Sequence, residues 1–288
     1  DQYLTRTYTD ANGKYQFFNL PLGTFKVKAE DIPSGLALST PAEKNLTIPV
    51  GGLSKQNYWF SEVSEEGVTF QVKYNANHTG TTSTLDVLVP GITVELWLPG
   101  GTSALYSDVT DATGTVAFKN IGALTYNVRF NAANLSSKGY QGLTAAYNLA
   151  VPKLGAADQL LLIDGIRTFS GKIQKDTTGD GVVDAGVSAM ESTLIWAGPN
   201  GTFGDADDVK FGSVAVAGSV TVTTGKTDGA GLYSYTKLPN GNFRVAYNAA
   251  DPVFNGFALM VKTGNTAPPR DVLTLIADKT DANFDYEP

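Results

Sequence analysis

The chain has 288 residues, of which 42% are hydrophobic and 17% are charged, and its formal net charge is −7. This length allows two or three domains of ordinary size. The acidic balance argues against a nucleic-acid partner, because such proteins concentrate lysine and arginine. The absence of cysteine excludes disulfides, thiol catalysis and cysteine-bound zinc, and no apolar stretch reaches the roughly 20 residues of a membrane span.

A short motif, Thr-Asp-x-x-Gly, occurs three times and begins at Thr9, Thr110 and Thr227. After each copy the sequence alternates apolar and polar residues, turns, and alternates again, which is typical of paired β-strands with one face on a core. The motif aspartates lie 101 and 117 residues apart. Because solenoid repeats are about 20–50 residues long, this period favours tandem β-sandwich domains with separate cores.

The repeat period divides the chain into a first domain of residues 1–64, a second of residues 65–164 and a third of residues 165–288. The junctions at residues 62–67 and 164–167 are very short. Long linkers rich in glycine and serine would let the domains swing freely, whereas these cannot. We therefore expect neighbouring domains to touch and to form a semi-rigid, elongated rod.

The second and third domains also match upstream of the motif. The matching segments are 68–74 with 168–174 and 92–98 with 192–197. This alignment superimposes Trp97 on Trp196. The alternation predicts that both indoles pack in a sandwich core rather than on an outer, sugar-binding face.

The first domain lacks this upstream half and contains only the last strands of a sandwich. It would leave a bare sheet edge and an uncovered apolar face, both of which favour aggregation. Two explanations stay open: residues that precede Asp1 complete the fold, or another chain donates the missing strands. We expect the partners to be neighbouring domains or copies of the same chain in a fibre or layer.

The third domain contains an acidic loop with the spacing of a calcium site. Asp176, Asp180 and Asp184 occupy the first, fifth and ninth positions, and a glycine occupies the sixth. Thr178 takes the third position, and the carbonyl of Val182 takes the seventh. Oxygen ligands at alternate positions of a tight loop are what calcium requires. The usual glutamate at position twelve is absent, which should weaken the site unless another loop supplies a carboxylate.

Residues 198–208 form a second acidic loop that could supply this carboxylate. Its predicted ligands are Asn200, Asp205, Asp207 and Asp208. Several carboxylates close together are costly without a cation. The alternative is a pair of solvated acidic turns, since Asp and Gly are common turn residues. Two such loops in one domain favour Ca²⁺ over this alternative, and over Mg²⁺, which needs a stricter octahedral geometry.

The second domain has a weaker version of the first acidic loop. Asn75 begins it, and Asp86 lies at the later corresponding place. Because most of the carboxylates are replaced, we predict no strong calcium site in the second domain.

No catalytic site is predicted. His78 is the only histidine and lies in a polar loop, so neither a serine triad nor a two-histidine metal site can be built around it. The clustered carboxylates occur in glycine-rich turns suited to a metal rather than to glycosidase chemistry. We therefore expect a protein that is not an enzyme.

The third domain resembles a known family. Residues 171–184, 198–208 and 227–245 together resemble the B-repeat (SdrD B-like) domain of serine-aspartate repeat surface proteins. That family is related to collagen-adhesin B-type domains and to transthyretin-like sandwiches. The resemblance extends to residues 9–27 of the first domain and to a diverged second domain. It implies an all-β chain of tandem immunoglobulin-like or transthyretin-like β-sandwiches, the first incomplete at its N-terminus, that calcium rigidifies and that extend a functional head from a bacterial surface.

The resemblance also implies two details. The family usually has Asn or Asp where Thr178 stands and Glu where Val187 stands, so both departures should lower the calcium affinity. Some collagen-adhesin B-type relatives carry a Lys–Asn isopeptide bond, for which Lys172 or Lys175 and Asn283 are suitably placed. No acidic residue lies clearly in the intervening core strand, so we do not expect this bond in the third domain.

These observations predict an extracellular, cell-surface protein with a structural role in a stalk, surface layer or filament. One alternative is an adhesin that binds a host or neighbouring-cell ligand, for which residues 200–224 are the expected surface. Another alternative is an accessory module of a larger secreted enzyme.

Overall fold

A computed structural model describes residues 4–52, 54–212, 226–260 and 270–288. Within these ranges the chain forms β-strands, one short α-helix and one 3₁₀ turn, which confirms the predicted all-β class. No helix in the described ranges is long and apolar enough to cross a membrane.

The secondary structure begins with β1 (Gly23–Lys28), β2 (Leu36–Leu38), β3 (Glu43–Ile48) and β4 (Phe60–Ser64). It continues with β5 (Val68–Tyr74), β6 (Val87–Leu88), β7 (Thr93–Trp97), β8 (Ala104–Val109), β9 (Thr115–Phe118), β10 (Ile121–Gly122), β11 (Thr125–Phe130), α1 (Ala132–Ser137), β12 (Tyr140–Gly142), β13 (Tyr147–Ala150) and β14 (Gln159–Gly165). It ends with β15 (Arg167–Lys175), β16 (Ala185–Gly186), β17 (Ser192–Trp196), β18 (Val209–Gly212), β19 (Leu232–Leu238), β20 (Gly241–Tyr247), the 3₁₀ turn Pro252–Phe254, β21 (Ala258–Leu259), β22 (Arg270–Leu275) and β23 (Phe284–Glu287).

The chain divides into two compact units. The first is formed within residues 1–67 together with Lys119–Leu124 and Ala150–Gly155. It contains a two-stranded sheet, β1-β3, and a three-stranded sheet in the order β10-β4-β2. The predicted domain limits after residues 64 and 164 and the rod arrangement stay predictions.

The second unit comprises Val68–Phe118, Thr125–Leu149 and Ala156–Pro288, and it repeats one sandwich arrangement twice. The first sandwich has sheets β13-β11-β7-β8 and β12-β14-β5-β6, and β9 also pairs with β5. The second has the matching sheets β22-β20-β17-β18 and β21-β23-β15-β16, and β19 also pairs with β15. In both, the last strand runs parallel to the first, β14 beside β5 and β23 beside β15.

Alternation along the strands explains why each sandwich has a core. In β5, Val68, Phe70, Val72 and Tyr74 point inward and are at most 1% exposed, while Gln71 between them faces solvent. Burying each such side chain contributes about 1.5–3 kcal/mol. The period of two therefore fixes which face of the strand packs against the opposite sheet.

The repeated motif forms the same turn in all three copies. The Asp10 carboxylate accepts hydrogen bonds from the backbone N–H groups of Asn12 and Lys14, at 2.8 and 2.9 Å. Asp111 and Asp228 make the corresponding bonds. The glycine that ends each copy has φ of 72°, 67° or 76°, a left-handed conformation that a residue with a Cβ adopts only at a cost.

The threonine of the motif is buried in two copies and exposed in the first. Thr110 and Thr227 are each 4% exposed. The Thr110 hydroxyl donates to the Val89 carbonyl at 2.8 Å and accepts from the Ile92 N–H at 2.9 Å, and Thr227 bonds the equivalent loop before β17. Thr9 is exposed, because the first copy has no described counterpart of this loop.

In the described residues of the first copy, the strands that have counterparts are the last four. β1 pairs with β3 as β11 does with β13, and β2 pairs with β4 as β12 does with β14; the incomplete first sandwich stays a prediction, with which this pairing agrees. The alternation at Tyr15 and Phe17 predicts a further strand, but residues 14–18 form none. The reason is that the corresponding strands β9 and β19 pair with β5 and β15, and the described part of the first copy offers no such partner.

The two aligned tryptophans do not occupy equivalent positions. Trp196 lies in the core and is 1% exposed, as predicted, but Trp97 is half-buried with its ring 4.6 Å from the Arg129 guanidinium. Leu96 pairs with Val128 of β11, and Leu194 pairs with the equivalent Val245 of β20. Leu96 is therefore the structural equivalent of Leu194, and the sequence alignment of Trp97 with Trp196 is one residue out of register. Because a one-residue slip moves a side chain to the other face, the prediction of core packing is wrong for Trp97.

Candidate metal centre

The first acidic loop joins β15 to β16 and is organised around Asp176, which is 1% exposed. Its carboxylate accepts hydrogen bonds from the N–H groups of Thr178, Gly179 and Gly181, at 3.1, 2.6 and 2.7 Å. Burial raises the pKa of Asp176, but these hydrogen bonds outweigh it, and the pKa lies below its usual value. Gly179 and Gly181 have φ of 76° and 81°, so the loop needs glycine to curl around an ionised carboxylate.

Asp184 closes the same loop immediately before β16. Its Oδ1 accepts hydrogen bonds from the hydroxyl and N–H of Thr177 at 2.6 and 3.1 Å. These bonds lower the pKa of Asp184, whereas repulsion from Asp176 acts in the opposite direction. Asp180 lies at the exposed tip, where its Oδ1 accepts from the Val182 N–H at 2.8 Å. The loop therefore contains two carboxylates, and hydrogen bonds from the loop itself lower the pKa of each.

The second domain shows how the same loop folds with one carboxylate fewer. Asn75 follows β5 as Asp176 follows β15, and Asp86 precedes β6 as Asp184 precedes β16. The Asn75 amide donates directly to the Asp86 carboxylate, with Nδ2 to Oδ1 at 3.2 Å. An amide can donate to its partner where a second carboxylate cannot. The loop of the second domain therefore pairs one carboxylate with an amide, whereas the equivalent positions of the third domain both carry carboxylates.

The second acidic loop follows β17. The Asn200 amide donates to Asp205 at 2.7 Å and to Asp207 at 3.0 Å. A hydrogen bond from the Asp207 carboxyl lowers the pKa of Asp205, while burial, and then the interaction with Asp205, raises the pKa of Asp207. The two carboxyl groups compete for one proton, which is the electrostatic situation that a bound cation relieves.

Asp208 adds a buried oxygen to this loop. Its Oδ2 accepts from the Gly204 N–H at 2.8 Å, but its Oδ1 is buried and has no hydrogen-bond partner among the described residues. Phe203 anchors the same loop, with its ring 4.4 Å from the Arg244 guanidinium. A buried acceptor without a donor costs free energy. The carboxylate and amide oxygens of this loop are of the chemical type that Ca²⁺ prefers.

The nine predicted ligands fall into two groups. The first group consists of Asp176, Thr178, Asp180, Val182 and Asp184, and the second of Asn200, Asp205, Asp207 and Asp208. Over residues 4–52, 54–212, 226–260 and 270–288, no three or more His, Cys, Asp or Glu side chains converge in a geometry that could hold a metal. Calcium binding by these residues stays a prediction.

A second polar cluster, which the sequence did not predict, lies between the two sandwiches of the second unit. His78 Nδ1 lies 2.7 Å from Oδ1 of Asp164, whose side chain is 1% exposed. The His78 ring stacks on Phe211 at 6.2 Å, and Lys237 Nζ forms an ion pair with Asp164 Oδ2 at 3.7 Å. The Tyr74 hydroxyl donates to the Lys237 carbonyl at 2.9 Å. His78 and Asp164 are 86 residues apart, and no local motif marks them.

The fold and these loops define the chain as a set of β-sandwich repeats with acidic turns. No family model matches the chain. It is 25% identical over 274 residues to serine-aspartate repeat-containing protein D of Staphylococcus aureus, an alignment that covers 83% of this chain and 18% of that protein. It is also 25% identical over 293 residues to colossin-A of Dictyostelium discoideum, covering 86% of this chain and 2% of that protein.

The first of these matches relates the chain to the serine-aspartate repeat proteins, as the resemblance of residues 171–184, 198–208 and 227–245 predicted. The chain spans less than a fifth of the length of that relative. The relationship agrees with an extracellular, cell-surface protein of the structural or adhesin type, and neither name is that of an enzyme.

Solved structures give weaker likenesses. The Bacillus anthracis TIE protein is 14% identical with a TM-score of 0.37, covering 98% of this chain and 44% of that one. The shaft pilin SpaA of Lactobacillus rhamnosus GG is 10% identical with a TM-score of 0.29, covering 77% of this chain and 96% of the pilin. TM-scores this low support no statement about the function of the chain.

The predicted ligand-binding surface, residues 200–224, is described only in part. Residues 200–212 belong to the second acidic loop and to β18. Residues 213–224 lie outside the described residues.

Proposed function

We propose that the chain is a structural segment of an extracellular stalk, surface layer or filament, in which calcium braces the third domain. The observation that carries this proposal is the contrast between two equivalent loops. Asn75 and Asp86 form an amide–carboxylate hydrogen bond, whereas the equivalent Asp176 and Asp184 are both carboxylates, and the charge of Asp176 acts to raise the pKa of Asp184 by repulsion. A divalent cation would offset that repulsion and tie β15 to β16.

The first unit supplies the surface through which such segments would join. Tyr8, Phe18 and Trp59 are 74%, 71% and 63% exposed, although aromatic side chains of this size are usually at least partly buried. The exposed Thr9 hydroxyl lies in the same copy. We infer that a neighbouring domain or another copy of the chain covers these residues in the assembled structure.

Thermal unfolding of the full chain with saturating calcium and with a chelator tests the calcium brace. We expect calcium to raise the melting temperature of the transition that includes the third domain, because a ligand that binds only the folded state at 100 times its Kd adds about 2.7 kcal/mol. Equal melting temperatures in calcium and in chelator would overturn the proposal.

A reciprocal pair of substitutions makes this test specific to the loop. Asp176→Asn gives the third-domain loop the asparagine that the second domain has at position 75. It should reduce the calcium response while leaving the second acidic loop in place. Asn75→Asp gives the second-domain loop the second carboxylate that the third domain has at Asp176. It should lower the stability in chelator and create a new calcium response. If neither substitution changes the calcium response, the ion does not bind at this loop.

A further inference from the structure

The dipeptide Asn-Gly occurs four times in the chain, and its asparagines are Asn12, Asn200, Asn240 and Asn255. In such a pair the backbone nitrogen of the glycine can attack the side-chain amide carbon of the asparagine, because glycine has no Cβ to shield its nitrogen or restrict its backbone. The attack is fastest where the asparagine side chain and the glycine N–H are both free of hydrogen bonds. The fold therefore decides which of the four pairs reacts.

At Asn255 both reacting groups are free. Asn255 and Gly256 are exposed, and neither the Asn255 side chain nor the Gly256 N–H makes a hydrogen bond within the described ranges. A Cβ at Gly256 would meet no atom within 4 Å, so the nitrogen is not crowded. Asn255 has φ of −59° and ψ of 124°, and Gly256 has φ of 83°, which are the values of a type II turn.

At Asn12 only one of the two groups is free. Asn12 is exposed, and its side chain makes no hydrogen bond to the residues that the structure describes. The Gly13 N–H, however, donates to the Asp10 carbonyl at 2.9 Å. This bond holds the proton that the attacking nitrogen has to lose, and it belongs to the turn of the repeated motif.

At Asn200 and Asn240 the amide that would be attacked is bound. The Asn200 amide donates to Asp205 at 2.7 Å and to Asp207 at 3.0 Å. The Asn240 amide donates to the Ser137 carbonyl at 3.1 Å, and its Oδ1 accepts a further hydrogen bond at 2.8 Å. Both side chains must break these contacts before they can turn towards the following glycine.

We propose that Asn255 is a site of spontaneous deamidation. The Gly256 nitrogen loses its proton and forms a bond to Cγ of Asn255, while the bond from Cγ to Nδ2 breaks and that nitrogen leaves as ammonia. One water molecule then opens the cyclic imide. Attack of the water at Cγ leaves aspartate, whereas attack at the main-chain carbonyl carbon leaves isoaspartate, in which the chain continues through the former side chain. No group is oxidised or reduced.

The position of the turn gives this reaction a structural consequence. On one side of the turn, Phe254 is 5% exposed and stacks on Tyr286, with ring centroids 4.2 Å apart. On the other side, β21 begins at Ala258, which pairs with Glu287 of β23. Isoaspartate adds one carbon to the main chain between these two attachments, so the turn cannot keep both in place. The reaction should therefore loosen the third sandwich at β21.

This inference goes beyond the structural function proposed above, and it depends neither on calcium nor on an assembly. It assigns to the third sandwich a slow, one-way chemical change that accumulates with the age of the molecule. The reaction requires only water, which a protein outside the cell always meets.

The test incubates the folded full chain in a mildly alkaline buffer and measures the conversion of amide to acid at each pair by peptide mapping with mass spectrometry. We expect Asn255 to react first. The single hydrogen bond at Gly13 should slow Asn12 by up to about tenfold relative to Asn255, and Asn200 and Asn240 should be slower still. In guanidinium chloride the four rates should become similar, because the dipeptides are the same. A faster reaction at another pair in the folded chain, or the same order of rates in denaturant, would overturn the assignment.

Two matched substitutions test the consequence. Asn255→Gln keeps the amide but lengthens the side chain, so the attack would have to close a larger ring. Before incubation it should melt as the unaltered chain does, because the Asn255 side chain makes no hydrogen bond among the described residues. After incubation the unaltered chain and the control Asn12→Gln should both show a lowered melting temperature, and Asn255→Gln should not. An equal loss in Asn255→Gln and in the unaltered chain would contradict the inferred loosening at β21.

Discussion

In the second and third copies, the motif threonine links the turn to the loop that precedes β7 or β17. In the first copy the equivalent Thr9 is exposed, which makes it a natural comparison. Thr110→Val removes the acceptor of the Ile92 N–H and the donor to the Val89 carbonyl. Leaving such buried groups unpaired costs about 1–3 kcal/mol, and urea unfolding should show a loss of this size.

The matched control is Thr9→Val, because Thr9 is exposed. We expect this substitution to change the free energy of unfolding by no more than about 0.5 kcal/mol. Comparable losses at both positions would mean that the hydroxyl acts within the turn itself, rather than through the loop that covers it.

The carboxylates of the first acidic loop predict how stability depends on pH. Hydrogen bonds lower the pKa values of Asp176 and Asp184 in the folded chain. A lowered carboxyl pKa contributes stability that is fully present above the unfolded value, near pH 4, and is lost as the pH falls through the folded value.

In chelator, the melting temperature should therefore decline as the pH falls below about 4, the unfolded value. Asp176→Asn should reduce the slope, since it removes one of the two titrating groups. A variant whose acid profile is identical to that of the unaltered chain would show that Asp176 does not titrate in this range.

The sequence predicts the polar side chains of the acidic loop, but it does not predict the contact between His78 and Asp164. Asp176 and Asp184 can be identified because loop spacing and ligand chemistry are local. The sequence places His78 in a polar loop and suggests no partner for it, yet it pairs with Asp164 at 2.7 Å. That contact depends on how two sandwiches pack, which no local pattern encodes.

At Gly165, where β14 ends, the packing of β14 against β19 leaves no room for a side chain. A Cβ on this residue would overlap the backbone carbonyl groups of Leu238 and Lys237 in β19. Gly165→Ala should therefore force the strands apart and lower the free energy of unfolding by about 1–3 kcal/mol. Chemical denaturation monitored by circular dichroism measures this change.

Gly229→Ala is the control for this prediction, because no atom lies within 4 Å of a Cβ at Gly229. It should be close to neutral. A neutral Gly165→Ala variant would instead mean that β14 and β19 can separate without loss of packing.

The same strands show which features of the fold follow from alternation. The period-two pattern predicts β5, β9, β19 and β20, because each of these strands has one buried face. It fails at Tyr15 and Phe17, where the pattern is present but the partner strand is not found in the described residues. It also fails at Trp97, because a one-residue slip in an alignment exchanges the two faces of a strand.

The two sandwiches of the second unit should unfold together, because their shared boundary contains a buried polar cluster. The Asp164 side chain is 1% exposed, its Oδ1 lies 2.7 Å from His78 Nδ1, and its Oδ2 lies 3.7 Å from Lys237 Nζ. His78→Ala removes the nearer hydrogen-bond partner and the ring stacked on Phe211, and leaving a buried polar group without its partner costs about 1–3 kcal/mol. Calorimetry of the full chain should show one transition for these sandwiches, and His78→Ala should lower it and separate it into two. An unaltered chain that already melts in separate transitions, or a variant that melts as the unaltered chain does, would show that Asp164 does not couple them.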